Sequence, residues 1–160
     1  MKTQDGINIK NGDSKMAKYM LKKEVKIELL QELLEKHYDV EVDKKENEIF
    51  LKDLHVSLYI LERISLIRLH ALMLPNETVS TEEIITYANK CNMNLILGKV
   101  SVEEFYDENS KKCRHISLEY DIDYYCGVSP ASIIRAIKQF YNIIGMVIEQ
   151  GNIFPRYDKK

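Results

Sequence analysis

The strongest constraint in this chain is its last helix, predicted over Ser129–Gln150. Ser129 can cap it, Pro130 fits the first helical position and Gly151 can close it. Ile133, Ile134, Ala136, Ile137, Phe140, Tyr141, Ile143, Ile144, Val147 and Ile148 fall on one side. At about 100° per residue they cover roughly half the cylinder. An ordinary surface helix buries a stripe nearer 100° wide. Such a helix has two neighbours to bury, so the chain must build a layer on each side of it or meet a partner there.

The rest of the composition limits the class. With 160 residues the chain is long enough for one domain with a real core. A formal net charge of −2 speaks against a nucleic-acid binder, and short basic runs such as Lys22-Lys23 and Lys111-Lys112 sit beside acids as solvated surface does. Three cysteines, Cys91, Cys113 and Cys126, form no CxxC pair, which fits reduced thiols in a cytoplasmic protein. The polar start, Met1–Ser14, has no apolar core of a secretory leader. Arg135, Lys138, Gln139 and Asn142 interrupt the last helix as a membrane span.

Along the chain, residues 1–13 are expected to be a disordered extension, 14–151 one α+β domain and 152–160 a tail. A first helix is expected from about Ser14 to His37, with Ile27, Leu30 and Leu34 its convincing part. The period then changes to two. Val40 and Val42, Ile49 to Leu51, Val56 to Ile60, and Ile67 to Met73 read as short strands joined by short turns, hence antiparallel. Ser80 and Glu83 form a capping box before a second helix carrying Ile84, Ala88 and Cys91. A strand from Leu95 to Glu104 follows, with Gly98 a bulge or close approach. The next strand turns Ile116, Leu118, Tyr120 and Ile122 to one face and His115, Ser117, Glu119 and Asp121 to the other. The order is helix, three or four strands, helix, two strands, helix, with the helices packed on an antiparallel sheet.

Catalytic and metal signatures are weak. Cys113 and His115 could supply two metal ligands, but a zinc site needs three or four. Cys126 precedes a helix start, where a thiolate is favoured, yet it reads more simply as a small buried residue closing a strand. There is no phosphate-binding glycine loop. No nucleophile or base with a positioned partner is visible, so neither an enzyme nor a cofactor is expected.

Several short motifs, in order, resemble the YbjN family, described as bacterial sensory transduction regulators. They are Ile67-Arg68-Leu69-His70-Ala71 leading to Pro75, Tyr87-Ala88-Asn89 with Asn94 after it, Gly98-Lys99, and Gly127-Val128-Ser129. The match runs from about Val25 to Val147. It implies the fold of the type III secretion chaperones and a protein-binding module, often a homodimer, with no catalytic residues to carry over. This chain lacks the strong acidity of those chaperones.

The resulting expectation is a non-enzymatic protein-binding domain, chaperone-like or regulatory, acting as a cytoplasmic homodimer with a possible client polypeptide and without nucleic acid or membrane. Its contacts are expected at Phe140, Ile144, Met146, Val147, Ile148 and Phe154, Met146 because it sits in the polar arc of the helix. The alternative is a small-ligand or signal-sensing domain using Tyr59, Arg68, His70 and His115, with Ser117, on the far face of the sheet.

Overall fold

Alternation in the four strands after the first helix decides the architecture. The computed structural model describes residues 19–95, 97–106, 108, 110 and 112–155. Strands β1 (Val40–Asp43), β2 (Glu48–Leu51), β3 (Val56–Leu61), β4 (Leu66–Met73), β5 (Lys99–Tyr106) and β6 (Lys112–Asp123) form one sheet in the order β1-β2-β3-β4-β6-β5, every neighbour antiparallel. Helices α1 (Ile27–Leu34), α2 (Thr81–Asn94) and α3 (Pro130–Gln150) complete the α+β order. Along β3 and β4 every second residue is buried, as period-two patterning requires. Ile49, Leu51, Leu58, Ile67, Leu69, Ile116 and Leu118 form the floor of the core. Above it, α1 lies on β1 and β2, α3 on β4 and β6, and α2 on β5.

Local chemistry sets the ends of these elements. The Ser80–Glu83 capping box forms in both directions, with Glu83 N–H donating to Ser80 Oγ and Ser80 N–H donating to the Glu83 carboxylate. The β1–β2 turn is an Asx turn: Asp43 Oδ1 accepts from the N–H groups of Lys45 and Glu46. Gly98 adopts φ +93°, and a Cβ there would meet the Glu119 carbonyl at 3.1 Å. This close approach explains why β5 starts at Lys99 rather than Leu95, which instead is the C-cap of α2. The edge of β5 is partly closed by a side chain. Asn92 Nδ2 donates to Val100 O at 2.7 Å and Val100 N–H donates to Asn92 Oδ1 at 2.8 Å, so α2 supplies what a neighbouring strand would.

Three sequence expectations change. The first helix starts at Ile27, not near Ser14. In the described start of that predicted helix, Met20 is bridged to Val128 and Lys22–Glu24 makes only a 3-10 turn. The lysines at 22, 23 and 26 leave no continuous apolar stripe there, so backbone pairing with the turn before α3 prevails. The expected disorder of 1–13 lies outside the described residues. At the other end the packed domain runs past 151. Phe154 is buried and Ile153 O accepts from Asn76 N–H at 2.7 Å. Gly151 does stop α3, but with φ −115° rather than a left-handed turn. It must lack a side chain because a Cβ would stand 2.7 Å from the Tyr87 ring.

By length and composition α3 is the one described helix that meets the requirement for a membrane span. Here it is an amphipathic core helix. Ile133, Ala136, Ile137, Phe140, Ile144 and Val147 are buried, and Arg135 and Lys138 are exposed. Among the described residues one buried hydroxyl is unmatched: Tyr38 Oη has no hydrogen-bond partner. Burial, and then the nearby Asp53 carboxylate, push its phenol upward. Removing a buried unsatisfied group recovers its desolvation cost. Tyr38→Phe is therefore expected to raise the unfolding free energy by about 1 kcal/mol in urea titration; a loss of stability would show that the hydroxyl is satisfied in solution.

Candidate interaction surfaces

Packing divides the six residues proposed as contacts. Phe140 and Val147 are 1% and 2% exposed and pack in the chain's own core, which Ile144 and Phe154 join at 8% and 6%. The Phe140 ring lies 6.5 Å from that of Tyr120 on β6. The Tyr87 hydroxyl donates to Val147 O, and Tyr87 meets Phe154 edge-on at 5.9 Å. Burial pushes the Tyr87 phenol well above its usual range. Ile144, Ile148 and Phe154 line an open groove at the rim of the core. Met146 is 49% exposed, outside the core, as its place in the polar arc requires.

This groove has a volume of about 730 Å³ and runs between the C-terminal half of α3, the end of β4 and the β2–β3 turn. Its walls include residues that the sequence reading missed: Leu72 and Leu74 from the end of β4, Tyr141 and Gly145 from α3, and Asp53 from the turn. Leu72 and Leu74 are 53% and 63% exposed. Gly145 is the clearest missed signal. Glycine inside a helix costs about 1 kcal/mol against alanine, yet a Cβ at Gly145 would meet nothing within 4 Å. Nothing among the described residues requires its smallness. An interior helical glycine at this position could have been flagged from sequence alone.

The open face of the sheet has a different character. Register places Tyr59 opposite Arg68, and Arg68 opposite Asp121. Arg68 donates from Nε and Nη2 to the two Asp121 oxygens at 2.8 and 2.9 Å, a bidentate pair, and reaches Glu119 at 3.4 Å. Tyr59 Oη and Ser57 Oγ both donate to Glu48. His70 Nε2 lies 2.8 Å from Ser117 Oγ, and His115 Nε2 lies 3.0 Å from Glu103. The structure thus brings together Tyr59, Arg68, His70, His115 and Ser117, but as a ladder of mutually satisfied pairs. None of the grooves described here is lined by them. Ser117 is fully buried by its neighbours, so its hydroxyl is a structural hydrogen-bonding group rather than a nucleophile open to a substrate. Among the described residues no group of three or more His, Cys, Asp or Glu side chains is arranged to hold a metal ion. Cys126 is exposed rather than buried, because the chain turns at Gly127 before its thiol can be covered.

His70 carries a pH signature. Burial lowers its affinity for a proton, assisted by His115 and opposed by Glu103, Glu119 and Glu48. In the unfolded chain it titrates near ~6.5. The unfolded state therefore binds more protons below that pH, so the contribution is complete above it and is lost as pH falls. Lowering pH from about 7 to about 5.5 is expected to reduce the urea midpoint of the wild type more than that of His70→Gln. Equal slopes would remove His70 as the source. Glu103 acts in a lower window: hydrogen bonding to His115 depresses its pKa, so its contribution disappears only as pH falls through the carboxylate range.

No protein-family model matches the sequence, and no curated protein matches it significantly. Among solved structures, the chain superposes on YbjN, described as "a putative transcription regulator from E. coli", with a TM-score of 0.67 and 13% identity, covering 81% of this chain and 96% of that one. The fold is that of YbjN. The YbjN-like order of elements is the one expected from the sequence, and α1, β1–β4, α2, β5–β6 and α3 supply it in that order.

Proposed function

We propose that this chain is a non-enzymatic protein-binding domain, chaperone-like or regulatory, that acts as a homodimer in a reducing cytoplasm and contacts a client polypeptide through α3. The observation that carries the reading is the groove beside the C-terminal half of α3. Leu72, Leu74, Tyr141 and Ile148 form an apolar wall there, and Gly145 keeps a clear approach to the helix backbone. Contiguous exposed apolar surface next to a rigid helix is what a protein interface uses. The regulatory part of the reading draws support from the description of the YbjN structure, and the compartment from the free cysteines.

The test is sedimentation from low to high micromolar concentration, followed by co-purification. A concentration-dependent dimer and a reproducible polypeptide partner are expected, and Leu72→Asp with Tyr141→Asp should remove partner capture while both sites, being exposed, leave the fold intact. A strictly monomeric chain at high micromolar concentration would refute the homodimer. Capture unaffected by the double variant would refute the groove as the contact.

A further inference from the structure

We infer that the groove takes one amphipathic helix of another polypeptide, apolar along its centre and acidic at the end lying over Arg135 and Lys138. This inference rests on the protein-binding reading above and specifies the partner's chemistry. It begins with a second stripe on α3. The core stripe is Ile133, Ile137, Phe140, Ile144 and Val147. Beside it run Ile134, Lys138, Tyr141, Gly145 and Ile148, four, three, four and three residues apart. At about 100° per residue these positions form one flank of the helix. Spacing that alternates three and four is what a second helix needs to seat its side chains between those of the first.

Among the described residues, only the start of this flank shares a groove with another helix. The eight residues of α1 lie on β1 and β2, and Leu33 and His37 share a groove of about 580 Å³ with Pro130, Ala131, Ile134, Arg135 and Lys138. α3 is 21 residues long. Past the end of α1, its flank faces the β2–β3 turn and the end of β4 across the apolar groove. Gly145 lies in that open part, where a bulky side chain from outside can reach the helix backbone.

Charge sets the occupant's polarity. His37, Arg135 and Lys138 line the separate groove beside α1, further up the same flank, with no carboxylate among them, and neither Arg135 nor Lys138 is ion-paired among the described residues. The apolar groove has the opposite sign at the β2–β3 turn, where Asp53 stands in its wall. A helix with its acidic end at Arg135 and Lys138 matches both ends.

The test uses the whole chain and a fluorescein-labelled leucine–glutamate peptide with leucines at alternating three- and four-residue spacing. A leucine–lysine peptide of the same pattern and a scrambled leucine–glutamate peptide serve as controls, all read by fluorescence anisotropy. The patterned acidic peptide should bind at least about tenfold more tightly than either control. Gly145→Leu, which has open space for its side chain, should weaken it at least about tenfold without lowering the urea midpoint. Arg135→Glu with Lys138→Glu should reverse the preference toward the lysine peptide. Equal binding of the three peptides, or indifference to Gly145→Leu, overturns the inference. Loss of self-association in Gly145→Leu, with no peptide bound, assigns the groove to a second copy and overturns the inference while the protein-binding reading stands. Absence of peptide binding, dimer and captured partner together overturns both.

Discussion

Replacing Phe140 by alanine is expected to lower the unfolding free energy by about 3–5 kcal/mol, the range for emptying a large buried aromatic site. Phe140 is among the largest fully buried side chains and stands at the middle of α3, where its ring packs towards Tyr120 of β6. Helix and sheet are both held by hydrogen bonds along their lengths and cannot collapse into the space, so the cavity term adds to the lost transfer energy. Phe140→Leu keeps most of the volume and should cost roughly 1–2 kcal/mol. Urea midpoints of the two variants measure the difference. The comparison also bears on function. If Phe140 supports the core rather than touching a partner, Phe140→Leu will keep partner capture. Capture lost in Phe140→Leu while its urea midpoint stays near wild type would restore it as a contact.

Gly127→Ala is expected to cost about 2–4 kcal/mol, with strain from a left-handed backbone adding to a collision. Gly127 has φ +95°, and a Cβ would stand 2.5 Å from the Tyr19 ring and 2.7 Å from Met20 O. The ring can swing away, whereas the Met20 carbonyl is fixed because it accepts from Val128 N–H at 2.9 Å while Met20 N–H donates to Val128 O at 2.9 Å. Tyr19 Oη also donates to Gly127 O at 2.9 Å. The substitution therefore strikes the strap that ties the start of the described chain to the turn before α3. Native-state hydrogen exchange should show the Met20 and Val128 amides opening faster in the variant, with β3 and β4 amides changing only by the global loss. Unchanged protection of Met20 and Val128 would show that the strap is not what Gly127 serves.

How far the candidate surface could be read from the chain depends on which neighbours each residue meets. The width of the apolar face on α3 correctly required more than one neighbour, and the sheet below with α2 beside it supplies two of them. It did not show which residues would remain outside. Phe140 and Ile144 look alike on a helical wheel, yet only Ile144 reaches the groove. Leu72 follows the alternation of β4 onto its outer face, but its meeting with Tyr141 around one groove depends on where α3 crosses the sheet. Tyr59 and Arg68 form a direct cross-strand pair that alternation alone does not imply, because register is set by turn geometry.

The sequence by itself determined the elements and their inner faces. Period-two patterning from Val40 to Met73, the Ser80–Glu83 capping box, the two-sided strand ending at Asp123 and the Ser129-Pro130 start of α3 are local signals, satisfied within a few residues. Only the tertiary structure decided that Met20 pairs with Val128 in place of a longer first helix, that Gly151 makes way for Tyr87, that the open sheet face satisfies its own charges and that one flank of α3 borders an open groove among the described residues. Each of those outcomes joins residues distant in sequence. Their free energies come from contacts that exist only once the helices have docked on the sheet, and no local pattern encodes which contact is left unmade.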